Sequence, residues 1–432
     1  MCERYAELFE PFTIRKLTLK NRFVMAPMST CDNLGFHMSE SMIRFCEERA
    51  KGGVSMIFTE CQAVDKIDSM TSLYKTAGTV NQEKEWTNFN RRIKKYDVKT
   101  CCQLGCGAGR NSVNIPFGKA LSSSRLPFFA NPKKYTKEMT KKQIHELVLS
   151  FGKAAASAKR AGFDAVEIHA HTGYLLDQFI SKCWNHRTDE YGGDAVNRAR
   201  ICVEIIEEIR KNVGEDYPVI LRMSMDHRVE GERGPAETEE LIRVLDKTSL
   251  DAFDVDLGSY DSDSWGVTPE YYGDAAALDA AKALRPLTDK VIFNAGTYTP
   301  DTALEAVSSG VVDVIMIGRS LIADPEYVSK IQADKVHEIR PCLRCNNYCI
   351  YHFFSLLPLS CAVNPQAASE EVLAIPHTKS PKKIAVVGGG PSGMEAAYEA
   401  ARAGHQVVLY ERLLIRFLLH WVQAPLYRPS RV

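Results

Sequence analysis

Four cysteines that crowd into one short segment are the residues of this sequence best suited to chemistry. Cys342, Cys345, Cys349 and Cys361 follow the pattern C-x2-C-x3-C-x11-C. Thiolates are soft ligands that suit zinc or iron–sulfur clusters, but zinc sites usually combine separated C-x2-C pairs, often with histidine. Because three cysteines lie close together and the fourth returns from a distance, the spacing favours a [4Fe–4S] cluster. A zinc site and free thiols are the alternatives.

The rest of the composition limits the classes of protein to which the chain can belong. The first ten residues carry charges and contain no apolar signal core, which predicts a cytoplasmic protein with reduced thiols. Lysine plus arginine equals aspartate plus glutamate, 54 each, so the formal net charge is zero. No apolar run is long enough to cross a bilayer. These features argue against a nucleic-acid-binding protein and against a membrane protein.

A second motif lies near the end of the chain, where Gly388, Gly390 and Gly393 form a G-x-G-x-x-G pattern. The predicted strand, helix and strand around it span 383–387, 390–404 and 406–410. Glu411 stands 18 positions after Gly393, near the place where an acid binds a ribose hydroxyl in dinucleotide-binding folds. The motif, both strands and the acid together predict a Rossmann-like βαβ unit.

Between the start of the chain and the cysteines, β-rich runs alternate with helical patterns. The runs span 22–27, 54–59, 99–104, 164–169, 218–224, 252–257, 290–294 and 313–317. The helical patterns span 39–51, 81–96, 140–161, 197–212, 235–248, 274–284, 300–309 and 321–331. The runs are mostly apolar throughout, as expected of strands buried on both faces. Eight such pairs predict an α/β fold, a (β/α)8 TIM barrel, with a doubly wound open sheet as the alternative.

The order of these features predicts three parts of the chain. A barrel is expected over 1–340, a [4Fe–4S] segment with a linker over 341–370, and a partial Rossmann-like unit over 382–432.

Five segments resemble the old yellow enzyme family. They are APMST, EIHAHTGYLLDQF, NHRTDEYGG, LRMS and IGRSLIADP. The cysteines and GGGPSG narrow the resemblance to the iron–sulfur subgroup of 2,4-dienoyl-CoA reductase, clostridial 2-enoate reductase, trimethylamine dehydrogenase and the bile-acid-inducible Δ4-reductases. The resemblance covers about 1–411. It implies FMN at the carboxyl ends of the barrel strands, a cluster nearby, FAD on a further domain and NAD(P)H as the electron donor.

The resemblance also implies which residues hold FMN. Gln103 matches a glutamine on the flavin pyrimidine edge, and Arg222 matches an arginine near flavin N1 that would stabilise the reduced anion. The remaining matches lie at strand ends beside the ring or at the phosphate site. They are Pro27, Met28, Ser29, Cys61, Asn294, Gly296, Gly318 and Arg319.

For catalysis, the resemblance points to the segment after the fourth strand. Tyr174 aligns with the tyrosine that delivers a proton, and His169 aligns with the first member of a carbonyl-binding pair. Thr172 stands where the second member is usually His or Asn. His171 is interpreted equally well as a buried core histidine. Tyr260 lies about where dienoyl-CoA reductase has a histidine that assists its tyrosine.

The expected activity is reduction of the C=C bond of an α,β-unsaturated carbonyl compound or acid. Steroid or bile-acid enones, 2-enoates, flavonoids and dienoyl-CoA esters all fit, and a homo-oligomer is left open. Because the sequence after Arg412 is unlike the relatives, we expect a truncated FAD unit that binds FAD poorly and no NAD(P)H site. One alternative is therefore a redox-incompetent barrel. The other is an amine dehydrogenase, which is disfavoured because trimethylamine dehydrogenase attaches FMN to a cysteine at the position of Ser29.

Overall fold

A closed barrel of eight parallel strands forms the body of the protein. The computed structural model describes residues 3–31, 38–64, 80–112, 120–373 and 376–412. The barrel strands β1 to β8 are Phe23–Met25, Met56–Phe58, Lys99–Gly105, Ala165–Ala170, Val219–Ser224, Ala252–Asp256, Val291–Ala295 and Val314–Ile317. Each strand pairs in parallel with the next, and β8 pairs with β1. The eight apolar runs therefore form the predicted TIM barrel.

Helices surround the barrel and follow the predicted order. The main ones are Glu40–Lys51, Val80–Ile93, Lys141–Arg160, Ala195–Val213, Pro235–Leu245, Leu278–Leu284 and Pro300–Ser308. The helix expected from Asp274 begins only at Leu278, because Ala275 has a left-handed backbone with φ 48°.

The last predicted helix, over 321–331, is broken into Arg319–Ala323 and Tyr327–Gln332. Pro325 lacks an N–H group and disfavours helical geometry at Asp324, which adopts φ −140° and ψ 103°. The prediction of one continuous helix was therefore wrong, and the break places a loop between β8 and the cysteine segment.

The barrel interior is apolar at its amino end and polar at its carboxyl end. A buried cluster of Met56, Cys101, Ala165, Ile220, Phe293 and other small or apolar residues fills the lower part. The hairpin Phe12–Ile14 and Leu17–Leu19 packs its apolar side chains into this cluster. The amino end is therefore closed, and the carboxyl end is available for a site.

After the cysteine segment, strand β9 (Lys383–Val387), helix Pro391–Arg402 and strand β10 (Gln406–Tyr410) form the expected βαβ unit. The two strands pair in parallel. The sequence after Arg412 lies outside the described residues, and the division into three parts stays a prediction. Within the described ranges, none of the helices is both long and apolar enough to span a bilayer.

Candidate active site

A cavity of about 770 Å³ opens at the carboxyl ends of the barrel strands. Most of the residues predicted to hold a flavin or act on a substrate line it. They are Pro27, Met28, Ser29, Cys61, Gln103, His169, Tyr174, Arg222, Tyr260, Gly296, Gly318 and Arg319. Cys342 and Cys349 also reach its wall. The strand ends, the loops and the cysteine segment therefore line one shared cavity.

Asn294 is the member of the predicted phosphate site that does not line this cavity. Its side chain is fully buried and donates hydrogen bonds to the carbonyl oxygens of Val255, at 2.6 Å, and Ala277, at 3.2 Å. Tyr298 donates its hydroxyl proton to the Asn294 amide oxygen. The side chain therefore fastens β7 to its neighbours and is not directed into the cavity, and the assignment of Asn294 to the phosphate site stays a prediction.

Two phenols meet over the cavity. The hydroxyl oxygens of Tyr174 and Tyr260 are 2.8 Å apart, and the ring of His169 lies 5.3 Å from that of Tyr174 between centroids. Burial raises the pKa of Tyr260. Burial, followed by the electrostatic effects of the neighbouring His171 and Arg222 side chains, lowers the pKa of His169 to about 3. His169 is therefore a neutral imidazole that can donate one N–H, and Tyr260 keeps its proton for a hydrogen bond.

The turn that presents Tyr174 is held by several hydrogen bonds at once. Gly173 has φ 76°, which suits a residue without a side chain. Its N–H donates to Asp177 Oδ2 at 2.7 Å, and its carbonyl oxygen accepts from Gln178 Nε2 at 2.6 Å and Asn111 Nδ2 at 2.9 Å. The position of the phenol is therefore fixed by the backbone that precedes it.

Asp177 is the centre of this support, and its removal gives the first prediction. It is fully buried and accepts from Arg233 Nη2 at 2.7 Å. We expect Asp177→Asn to lower the free energy of unfolding by about 3–5 kcal/mol, since the Arg233 charge would be left buried without a partner. Urea denaturation followed by circular dichroism measures this loss. Arg243→Gln, which breaks an exposed ion pair with Glu239, serves as the control and should cost less than about 1 kcal/mol.

The same contact predicts a pH dependence of stability. Burial would raise the pKa of Asp177, but His227 and Arg233 hold it well below the ordinary value of 3.8. A depressed pKa contributes stability above the unfolded pKa, and this stability is lost as the pH falls below it. A wild-type protein that loses no more stability than Asp177→Asn between pH 5 and pH 3 would contradict this assignment.

Three acids inside the barrel were missed by the sequence analysis. Glu167 on β4 and Asp254 on β6 are fully buried, and Asp256 is nearly so. Arg222, on the strand between them, lies 3.3 Å from Asp254 Oδ2 through Nη1 and 2.8 Å from Asp256 Oδ2 through Nη2. The signal was present as one acid in VEIH and two alternating acids in FDVD, but the apolar context of these runs outweighed it.

His171 belongs to this polar layer and also faces the cavity. Its Nε2 lies 2.5 Å from Asp256 Oδ1, and its Nδ1 contacts the hydroxyl group of Thr172. Thr172 has a left-handed backbone with φ 62°, and both residues line the cavity. The ring of His171 is 5.9 Å from that of His169 between centroids. The two histidines therefore lie next to each other on one wall of the cavity. The resemblance had instead assigned the two positions of the carbonyl-binding pair to His169 and Thr172.

The four predicted cluster ligands come together in space. Cys342, Cys345, Cys349 and Cys361 all line one small cavity beside the larger one, and none forms a disulfide. Burial raises the pKa of Cys342 and raises that of Cys349 to about 11. In the described part of the chain, no three His, Cys, Asp or Glu side chains converge tightly enough to hold a single metal ion. The arrangement gathers four soft donors around a shared space.

Arg319 connects this small cavity to the larger one, because it lines both. Its Nη1 donates to Asn346 Oδ1 at 2.7 Å, and Asn346 Nδ2 donates to the carbonyl oxygen of Val267 at 2.8 Å. Burial lowers the pKa of Arg319, and the nearby cysteines oppose this shift. The residue predicted to hold a phosphate thus also fastens the cysteine loop to the barrel.

The glycine motif has the geometry of a nucleotide-binding turn. Gly388 has φ 104°, and a side chain at Gly393 would collide with the Gly388 carbonyl oxygen. Glu411 Oε2 accepts from the N–H of Gly389 at 2.6 Å. Gly390 ends the turn directly before the helix. The glycines are thus needed for the close approach of strand, turn and helix.

Comparison with known families agrees with the barrel and with the glycine unit. Residues 7–338 match the NADH:flavin oxidoreductase / NADH oxidase family. The chain belongs to this family. Residues 362–418 match the pyridine nucleotide-disulphide oxidoreductase family. This NADH:flavin oxidoreductase chain falls in the 2-enoate reductase and old yellow enzyme group of flavoenzymes, as the resemblance predicted.

Individual relatives of this flavin oxidoreductase support the same grouping. Cinnamate reductase from Clostridium sporogenes is 38% identical over 95% of this chain and 65% of that protein. NADPH dehydrogenase from Clostridium acetobutylicum is 30% identical over 74% of this chain and 93% of that protein. The structure of 2-naphthoyl-CoA reductase in complex with 2-naphthoyl-CoA superposes with a TM-score of 0.87 at 27% identity, over 94% of this chain and 64% of that one. The chain thus spans under two thirds of the length of the cinnamate reductase and of the 2-naphthoyl-CoA reductase.

Proposed function

We propose that this chain holds FMN in the large cavity and reduces the C=C bond of an α,β-unsaturated carbonyl compound or acid. The observation that carries the proposal is the pair of phenols, Tyr174 and Tyr260, 2.8 Å apart beside the neutral imidazole of His169. A proton donor and a carbonyl-binding N–H are the two groups that such a reduction needs from the protein. The name of the cinnamate reductase relative makes aryl 2-enoates the first substrates to examine.

The residues on the cavity wall suit an isoalloxazine ring. Gln103 donates through Nε2 to Glu167 at 2.6 Å, which leaves its carbonyl oxygen available to accept from a flavin N–H. Arg222 Nε is buried and has no hydrogen-bond partner within the described residues, so it can donate to a bound acceptor. A side chain at Gly318 would enter the space beside Met28. Two polar groups that could bind the edge of the ring, and the free space at Gly318, thus suit a flat heterocycle such as isoalloxazine.

The protein residues divide the chemistry between them, while bound FMN supplies the hydride that goes to the β-carbon. His169 donates its N–H to the substrate carbonyl oxygen and stabilises the negative charge that develops there. Tyr174 gives its hydroxyl proton to the α-carbon, and Tyr260 donates a hydrogen bond to the phenolate that this leaves. Near pH 7, His169 is neutral and keeps the one N–H that it donates. The raised pKa of Tyr260 keeps its hydroxyl proton in place at the same pH.

We also propose that Cys342, Cys345, Cys349 and Cys361 hold a [4Fe–4S] cluster that passes electrons to FMN. The donor set fits, since four cysteines line one cavity and two of them, Cys342 and Cys349, also reach the flavin cavity. Arg319 lies between the two spaces. In this proposal NAD(P)H is the ultimate electron donor.

For FAD, the described βαβ unit gives a prediction of its own. Dinucleotides bind in a crevice at the point where the strand order of a parallel sheet reverses. The described part of this unit has two strands and one helix. Val387 and Tyr410, at the ends of the two strands, are exposed. We expect the purified 432-residue chain to bind one FMN and no stoichiometric FAD. Flavin extraction and chromatography after titration with FAD measures this ratio. One tightly bound FAD per chain would contradict the expectation.

The alternatives differ in the products they form. Anaerobic protein reconstituted with FMN, with reduced viologen as the electron source, should convert at least one of a panel of 2-enoates, steroid enones, flavones and dienoyl-CoA esters into the saturated product. Mass spectrometry of the products identifies the substrate class. If the FMN is fully reduced and no compound of the panel gives a product, the alternative of a barrel without reductase activity is favoured.

A further inference from the structure

The buried acids around Arg222 carry more negative charge than one arginine can balance. We call Glu167, Asp254 and Asp256 the acid frame. Arg222 and Asp254 are register partners on adjacent strands, and Asp256 lies two residues further along the same strand, toward the cavity. Arg222 contacts both aspartates, at 3.3 and 2.8 Å. One guanidinium therefore contacts two buried carboxyl groups, and a third carboxyl group, that of Glu167, is buried on the neighbouring strand β4.

Protons must account for part of this charge, since unpaired buried anions are very costly. Within the described residues, Glu167 Oε1 and both carboxyl oxygens of Asp254 are buried without a hydrogen-bond donor. A proton held between these two groups would supply the missing donor. Burial, and then the charge of Asp254, raises the pKa of Glu167, and burial raises the pKa of Asp254 to about 6. Glu167 is therefore the group that keeps the proton.

Asp256 behaves differently because each of its carboxyl oxygens has a close neighbour: His171 Nε2 lies 2.5 Å from Oδ1, and Arg222 Nη2 donates to Oδ2 at 2.8 Å. Burial would raise its pKa, but His171 and Arg222 hold it below the ordinary value. The charges that face Arg222 are thus Asp256 and Asp254, both anionic, with neutral Glu167 behind them. His169 near the end of β4, His171 just beyond it, and Glu60 and Cys61 after β2 are further titratable groups that line the same cavity. The positive charge of Arg222 at the cavity wall is accordingly offset by the negative charges of Asp254 and Asp256.

We propose that the acid frame cancels the charge of Arg222 and thereby holds the bound FMN at a low reduction potential, suited to α,β-unsaturated acids and thioesters. The inference rests on the FMN site proposed above. A free arginine beside the flavin would stabilise the negative charge of its reduced form, and a cancelled one stabilises it much less. A carboxylate or thioester accepts hydride less readily than a ketone, so a more strongly reducing flavin widens the range of substrates.

The test is the midpoint potential of bound FMN in the holoenzyme, measured anaerobically at pH 8 against reference dyes. Asp256→Asn should favour the reduced flavin about tenfold or more, an upward shift of about 30 mV for a two-electron couple. The double variant Glu167→Gln/Asp254→Asn should shift it in the same direction by a similar factor, with Asp256 and His171 left intact. Glu167→Gln alone should change the ratio less than about threefold, because a neutral amide replaces a neutral acid.

Asp164→Asn is the matched control, since Asp164 precedes β4 at the opposite end of the barrel and pairs with Lys94. It should leave the potential unchanged. The inference is overturned if both charge-removing variants bind FMN and keep the wild-type potential, or if Glu167→Gln alone shifts it as far as the double variant does. If the Asp256→Asn variant does not bind FMN, the midpoint potential of the Glu167→Gln/Asp254→Asn variant alone tests the inference. A wild-type protein that binds no FMN would refute the proposed function instead, so the two failures are distinguishable.

Discussion

Replacing Tyr174 by phenylalanine is expected to slow the reoxidation of the reduced flavin by an unsaturated substrate about 10²–10⁴-fold, the usual contribution of a positioned general acid. The ring of Tyr174 lies 5.3 Å from that of His169 between centroids, and the substitution removes its hydroxyl proton while keeping the aromatic ring. Stopped-flow absorbance of the flavin, with the reduced protein mixed against the enoate, measures the rate.

Tyr260→Phe provides the matched comparison, because it removes the partner hydroxyl at 2.8 Å and keeps the donor. Its loss should be smaller than that of Tyr174→Phe, and its rate should depend more steeply on pH. Tyr135→Phe, a change at an exposed tyrosine, should have no effect. Equal rates for wild type and Tyr174→Phe would remove Tyr174 from the mechanism.

The second large effect is expected from the cysteines. Cys342→Ser should reduce the iron and acid-labile sulfide of the anaerobically purified protein from about four atoms of each per chain to a small fraction, since a hydroxyl group is a poor ligand for iron. FMN binding should persist, because the barrel supplies the flavin contacts. Metal analysis, sulfide determination and the visible spectrum follow both cofactors.

Cys183→Ser is the control for this experiment. Cys183 is partly exposed and lies outside the cysteine segment, so its loss should leave the iron content unchanged. One zinc ion per chain in place of iron and sulfide would contradict the cluster and support the alternative that the spacing left open.

The barrel was predictable because each of its strands is an apolar run followed by an amphipathic helix. The same criterion hid the acids, since Glu167 and Asp254 sit within runs such as VEIH and FDVD that are apolar on the whole. Burial of charge depends on a partner from another strand, here Arg222, and spacing along one strand does not show it. The broken helix at Pro325 was visible in the sequence, and the proline should have outweighed the apolar periodicity.

The site was partly predictable for a related reason. Most of the predicted residues toward the carboxyl ends of the strands reach the cavity, and Gln103 and Arg222 do so. Asn294 also lies at a strand end but turns to backbone carbonyl groups, and His171 shares the wall with His169 by virtue of Asp256. These orientations follow from contacts between strands, so they required the three-dimensional structure.

The direction of electron flow tests the central claim most directly. Dithionite-reduced, FMN-loaded protein is mixed anaerobically with cinnamate or another 2-enoate, and oxidised protein is mixed with a panel of secondary and tertiary amines. An ene-reductase returns the oxidised flavin spectrum with one saturated product per FMN, and the amines leave the oxidised flavin unchanged. Bleaching of the oxidised flavin by an amine, with no reoxidation by any enoate or enone, would contradict the account.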